Sequence, residues 1–192
     1  MKSTITPYCA IYDDVLSLEY QEKIQGIITS KKLKWQICDY SVDPDTQANN
    51  GDANCQEYPQ LSSTVVEWGD GQGVFVNEIA EILKIFLESI DATCSKVFRI
   101  KVNIHEKAEN YGDDKYLTPH IDMNLMHNVL LYYPFDSDGD TILFDKTDTG
   151  WKIVERVQPK QGRFLLFSGD QYHSARPPIV SENRIVINFD FL

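Results

Sequence analysis

The chain has 192 residues, 42% hydrophobic, 24% charged and 11% aromatic, which predicts one folded domain over 1–192 and excludes a repeat array or a disordered polymer. Its 29 acidic against 18 basic residues give a formal net charge of -11, so contact with a nucleic-acid backbone would work against long-range repulsion. No apolar run approaches the roughly 20 residues of a membrane span, the start MKSTITPYCAIYDD lacks the apolar stretch of a signal peptide, and Cys9, Cys38, Cys55 and Cys94 form no C-x-x-C pair. These features predict a cytoplasmic protein with reduced thiols and with neither membrane nor nucleic acid as partner.

The first element is a helix in DDVLSLEYQEKIQGIITSKK: Ser17 is placed to cap it, and Leu16, Tyr20, Ile24, Ile27 and Ile28 recur at helical spacing. LKWQICDY reads as a short strand. The polar run 41–60, rich in Asn, Asp and Gly, has no face to bury and reads as a loop long enough to serve as a lid. FVNEIAEILKIFLESI is the second helix, with Val76, Ile79, Leu83, Phe86, Leu87 and Ile90 on one broad apolar face. These pieces make 1–95 a helical support region with a polar loop.

After Cys94 the texture changes to short β-branched and aromatic segments parted by Gly, Pro, Asp and Asn: KVFRIKVNIHE, YLTPHIDM, HNVLLYYPF, TILFDK, WKIVERVQ, GRFLLFSGD, HSARP and RIVINFDFL. A second polar stretch, 105–116, is another candidate lid. Helices followed by about eight strands predict an α+β chain that is mainly β, a jelly-roll core over 96–192 with helices packed on the outside of the major sheet. Alternation in the last strand sets Ile185, Ile187, Phe189 and Phe191 on one face and Arg184, Val186 and Asn188 on the other. Covered by helices, the Ile/Phe face would turn Arg184 inward, where a buried guanidinium needs an anion.

The stretch that carries chemistry is YLTPHIDMN. With 4 histidines and 18 aspartates in the chain, chance alone yields about 0.4 H-x-D pairs, so the motif depends on its context. On a strand, His120 and Asp122 would share a face and converge on one ion. Of the remaining histidines, His173 follows a strong strand and a Gly-Asp turn and is the best third ligand. His105 opens a polar loop and His127 falls on the opposite strand face, so both read as ordinary satisfied or exposed histidines. Two imidazoles and one carboxylate suit redox iron, which leaves open positions for a chelating 2-oxo acid, better than zinc, which prefers four nitrogen or sulfur donors.

His120-x-Asp122, then His173 51 residues beyond Asp122, then Arg184 eleven residues later, resembles the H-x-D…H…R/K pattern of the 2-oxoglutarate and Fe(II)-dependent dioxygenases, most closely the prolyl 4-hydroxylase-like group. NVLLYYPFDSDGDTILF and PKQGRFLLFSGDQYHSARP also resemble that family, and the likeness covers about residues 97–192. It implies a double-stranded β-helix with Fe(II) held by His120, Asp122 and His173. It also implies a 2-oxoglutarate cosubstrate paired through its distal carboxylate with Arg184, with Tyr133 and Asn103 as further contacts. O2 would be the second cosubstrate and ascorbate a stimulant, and a prolyl residue in a peptide or protein would be hydroxylated with release of succinate and CO2.

The chain departs from the family in having Gly139-Asp140 where two glycines are common. Arg176, three residues after His173, rivals Arg184 and is expected at the cavity rim, near substrate. The aspartates of DSDGDTILFDKT do not fit a calcium loop, because EF-hand spacing from Asp136 puts Thr141 and Thr147 where Gly and Glu belong. No second arginine follows Arg184, unlike the nucleic-acid demethylases of the superfamily. The competing readings are a jelly-roll binding module and a cupin-like metal enzyme that does not use 2-oxoglutarate.

Overall fold

The structure is a computed structural model and describes residues 1–39, 52–148 and 150–192. In chain order the elements are β1 (Lys2–Ile5), β2 (Ala10–Asp13), α1 (Leu18–Thr29), β3 (Gln36–Cys38), β4 (Gln60–Glu67), β5 (Asp70–Gly71), α2 (Val76–Ser89), β6 (Val97–Glu106), β7 (Asn128–Tyr133), β8 (Thr141–Thr147), β9 (Gly150–Val157), β10 (Arg163–Ser168), β11 (Tyr172–Ala175) and β12 (Asn183–Phe191). A nine-stranded antiparallel sheet runs in the order β1-β2-β10-β7-β12-β6-β4-β3 with β5 on β4, and a three-stranded one in the order β11-β8-β9. This is the double-stranded β-helix.

Two apolar clusters explain how the layers stack. Ser17 caps α1, its hydroxyl accepting from the Tyr20 N–H at 3.3 Å, and the helix then buries Ile24, Ile27 and Ile28. Those residues join Ile79, Ile82, Leu83, Phe86 and Leu87 of α2 against Ile100, Val102, Ile185, Ile187 and Phe189 of the large sheet. The Phe86 ring stacks on Phe164 at 4.9 Å and meets Tyr12 edge-on at 5.2 Å, and truncating so buried a ring to alanine costs roughly 3–5 kcal/mol. A second cluster lies between the sheets: Val129, Leu131, Tyr133, Leu165 and Phe167 from the large sheet meet Leu143 and Val157 from the small one. The helices therefore claim the outer face, and alternation turns Arg184, Val186 and Asn188 toward the interior.

Two expectations are corrected. Residues 1–95 are not only helical support, since β1 and β2 extend the large sheet beyond β10 while β4 and β3 extend it beyond β6. Neither addition carries a clean strand pattern: β1 is exposed throughout and so has no apolar face, and the pairing of β4 with β6 shifts register between Thr64 and Val66. The segment YLTPHIDM is not a strand either. Its only β pairings are isolated bridges at Tyr116 and His120, beside single bonds such as the Leu117 N–H to the Ala175 carbonyl at 3.0 Å, and Pro119 has no N–H to give a ladder. Residues 41–51 of the first predicted lid lie outside the described residues, and no described helix is long and apolar enough to cross a membrane.

Candidate active site

A cavity of about 520 Å³ opens between the two sheets. Its broadest wall is β6, where alternation sends Phe98, Ile100 and Val102 to the buried outer side and Arg99, Lys101, Asn103 and His105 to the cavity. From β12 come Arg184, Val186 and Asn188, with Thr141 and His173 from the small sheet opposite.

One end gathers His120, Asp122 and His173, each offering a ligand atom within 4.8 Å of the others. The two histidines face each other across an antiparallel bridge: the His120 N–H donates to the His173 carbonyl at 3.0 Å and the His173 N–H returns the bond at 2.9 Å. Pairing across the bridge thus brings the imidazoles together, with ring centroids 4.5 Å apart. His120 Nδ1 donates to the Thr118 carbonyl at 3.0 Å and His173 Nδ1 to the Gln171 carbonyl at 3.2 Å. Because a carbonyl only accepts, Nδ1 is the donor in each ring, and Nε2 is the nitrogen left to face a metal. Burial, helped by the neighbouring His173, pushes the His120 imidazole down to about 4, so it is neutral at pH 7.

Asp122 is held by its own partners. Arg99 bonds Oδ1, Asn188 Nδ2 donates to Oδ2 at 3.2 Å, and His173 Nε2 lies 3.4 Å from the same oxygen. Burial by itself would raise this carboxyl, but the Arg99 charge and the two histidines outweigh it and hold it well below the usual carboxylate range. Arg99 Nε also bonds the fully buried Asp190 at 2.7 Å. Burial and the nearby Asp122 charge push the Asp190 carboxyl up. His127, expected to be an ordinary satisfied or exposed residue, is buried behind this pair with Nε2 3.8 Å from Asp190 Oδ1.

The other end is built on Arg184, 2% exposed. Its Nε donates to the Gly139 carbonyl at 2.9 Å and its Nη2 to Thr141 Oγ1 at 2.6 Å, and among the described residues no carboxylate lies in ion-pair reach of it. Gly139 is required here by space: a Cβ would stand 2.5 Å from the Arg176 carbonyl and 2.9 Å from Arg184 Cδ. Tyr133 is buried, and its hydroxyl donates to Thr141 Oγ1 at 2.7 Å. Asn103 lines the wall, its amide oxygen accepting from Ser62 Oγ at 2.8 Å.

The sequence profile of the 2OG-Fe(II) oxygenase superfamily matches residues 107–191. That segment is similar to the superfamily. The matched segment contains His120, Asp122, His173 and Arg184, whereas Arg99, Asn103 and His105 precede it. Among curated proteins none matches the chain. Similar solved structures include a prolyl hydroxylase from Trichoplax adhaerens in complex with a hypoxia inducible factor peptide fragment (15% identity, 97% of this chain and 84% of that one, TM-score 0.62). A prolyl-4-hydroxylase from Pseudomonas putida is also similar (11% identity, 96% and 91%, TM-score 0.56). So is HygX from Streptomyces hygroscopicus with nickel, 2-oxoglutarate and hygromycin B bound (12% identity, 95% and 82%, TM-score 0.55). At such identities the likeness concerns the fold.

Fe(II) and 2-oxoglutarate, the groups that name the superfamily, fit what the cavity offers. One end presents two imidazole nitrogens and a carboxylate, a donor set suited to Fe(II). The other presents a buried cation that no carboxylate of the described residues meets.

Sequence reasoning missed three parts of this site and misjudged a fourth. Asn188 was set on the Arg184 face by alternation but given no role, and the same alternation in KVFRIKVNIHE would have put Arg99 on the cavity side. Thr141 stands two residues after Gly139 at the start of β8. His105, read as an ordinary satisfied or exposed histidine, is 2% exposed and lines the cavity, because β6 continues through it to Glu106. Arg176 does not reach the cavity wall, as its Nη2 pairs with Asp113 at 2.8 Å instead.

Proposed function

We propose that the chain is a 2-oxoglutarate- and Fe(II)-dependent dioxygenase that hydroxylates an aliphatic C–H bond, with a prolyl residue in a peptide or protein as substrate. The observation that carries the reading is the pairing, in one cavity, of a buried His/Asp/His cluster with a buried arginine that has no acid partner among the described residues. A lectin-like module or a cupin-like enzyme that does not use 2-oxoglutarate leaves that arginine without a task.

In this reading His120, Asp122 and His173 hold the iron, and Arg184 binds the distal carboxylate of 2-oxoglutarate. Bound together, iron and cosubstrate supply O2 activation and an oxidation that converts 2-oxoglutarate to succinate and CO2. The protein's part is placement. The Thr118 and Gln171 carbonyls keep both imidazoles in the metal-binding tautomer, and Arg99 and Asn188 fix the Asp122 carboxylate. Tyr133 acts on the cosubstrate through Thr141, and Asn103 faces the space between the two ends. The flanking cluster of Leu131, Val186 and their neighbours keeps water from the reacting atoms.

The peptide substrate is supported by the peptide-bound prolyl hydroxylase of like fold. A second reading, a small hydrophilic molecule, is favoured by the polar wall of Gln60, Ser62 and Lys101 and by HygX with hygromycin B bound. Anaerobic titration with Fe(II) and then 2-oxoglutarate should produce a weak visible charge-transfer band. Folded protein that shows none would end the oxygenase reading. Mass spectrometry of proline-containing peptides against hydroxylated small molecules, scoring the gain of one oxygen, separates the two substrate classes.

A further inference from the structure

His105 is the one described histidine with neither ring nitrogen hydrogen-bonded. His120, His127 and His173 each spend Nδ1 on a backbone carbonyl, at 3.0, 2.7 and 3.2 Å. Both nitrogens of His105 are buried with no partner among the described residues. Buried polar atoms are paired in the great majority of cases, so an imidazole with two orphaned nitrogens on a cavity wall marks a place where a ligand belongs.

Its position says which ligand. His105 lies directly opposite Arg184 in the β6–β12 ladder, and both residues line the cavity. Thr141 completes the group. Its hydroxyl oxygen already accepts from Tyr133 and from Arg184 Nη2, which occupies both lone pairs and leaves its own proton to be donated elsewhere. Arg184 spends Nε and Nη2 within the protein, and Nη1 makes no bond to a described residue. This corner therefore offers three spare donors and a single positive charge. The imidazole adds no second charge, because burial and then the Arg184 charge push it down to about 3. A neutral imidazole has one N–H to give.

We propose that His105 donates a hydrogen bond to the distal carboxylate of 2-oxoglutarate beside Arg184 and Thr141, and so makes the cavity selective for a 2-oxo acid that carries a second carboxylate. The inference rests on the oxygenase reading but assigns a residue outside the matched superfamily segment. A carboxylate bound by Arg184 alone keeps lone pairs to satisfy, and donors from the facing strand fix its orientation as well as its charge.

The test compares two ligands on the intact protein loaded with Fe(II) without oxygen: 2-oxoglutarate, which reaches both ends of the cavity, and oxalate, which has only the chelating end. By calorimetry His105→Leu should weaken 2-oxoglutarate about tenfold and leave oxalate unchanged, while His105→Asn, which keeps an N–H donor, should recover most of the loss. Equal loss for both ligands, or none for either, overturns the inference. Wild-type protein that binds oxalate but not 2-oxoglutarate overturns the oxygenase reading itself. A readout without substitution uses Zn(II)-loaded protein with 15N-labelled histidine. One His105 ring N–H should shift and exchange more slowly on adding 2-oxoglutarate but not oxalate, and an unmoved resonance counts against the contact.

Discussion

The two ends of the cavity handle buried polarity in opposite ways. At the His120, Asp122 and His173 end the protein satisfies its own charges: Arg99 bridges Asp122 and Asp190, and each imidazole is tied to a carbonyl. What remains free there is a set of lone pairs. Among the described residues the surplus at the Arg184 end is in donors, a guanidinium with no acid, a threonine proton with no acceptor and an imidazole with no partner. Lone pairs at one end call for a cation and donors at the other for an anion, and a metal with a chelating diacid supplies both. The difference teaches that the unpaired groups, more than the paired ones, point to the ligands.

If the ends are separate, each should fail separately. The largest effect belongs to Asp122→Ala, which removes the only carboxylate of the cluster and is expected to abolish Fe(II) binding by metal analysis of the folded protein. Retention of iron would mean that the cluster is not the metal site.

Next comes pH. The His105 and His120 imidazoles sit at about 3 and about 4 when folded, against 6.5 when unfolded. The unfolded chain therefore takes up protons that the folded chain does not, and the contribution to stability, present above about 6.5, is lost as pH falls toward those folded values. Asp190, whose carboxyl is pushed up, contributes in the opposite sense, so the clean quantity is a difference between two proteins. Metal-free His105→Leu should gain on wild type by on the order of 3 kcal/mol in urea unfolding between about pH 6.5 and 4. A constant difference would show that His105 is solvated.

Arg184→Ala should leave iron binding intact and weaken 2-oxoglutarate by about thirtyfold or more, roughly 2 kcal/mol. Arg176→Ala, whose partner is Asp113, should stay within about twofold. The reverse order would move the cosubstrate site to Arg176. Smallest is Tyr133→Phe. It deletes the bond that helps to orient Thr141 and should cost the cosubstrate about fivefold, near 1 kcal/mol, with no effect on iron.

Several parts of this arrangement were legible in order along the chain. Both helices announced themselves by periodic Ile, Leu and Phe, and alternation in RIVINFDFL was enough to set Arg184 apart from the Ile/Phe face. The same rule applied to KVFRIKVNIHE would have placed Arg99, Lys101, Asn103 and His105 together. The polar stretch HEKAENYGDDKY hides this, because it begins with His105, the residue that closes the pattern. β1 and β4 were not legible, since an exposed strand and one with a shifted register leave little alternation to read.

Order along the chain was enough to set the outer layer and the polarity of the last strand, because side-chain period depends only on neighbours along the chain. It also supplied the H-x-D, His and Arg set in the right order. Only the tertiary structure decided how these meet. His120 and His173 are 53 residues apart and face each other through a two-bond bridge, while Asp122 is steered by Arg99 and Asn188 from two other strands. Whether a buried nitrogen is paired or orphaned depends on what the fold packs around it, and that is why His105 passed for an ordinary residue until its surroundings were known.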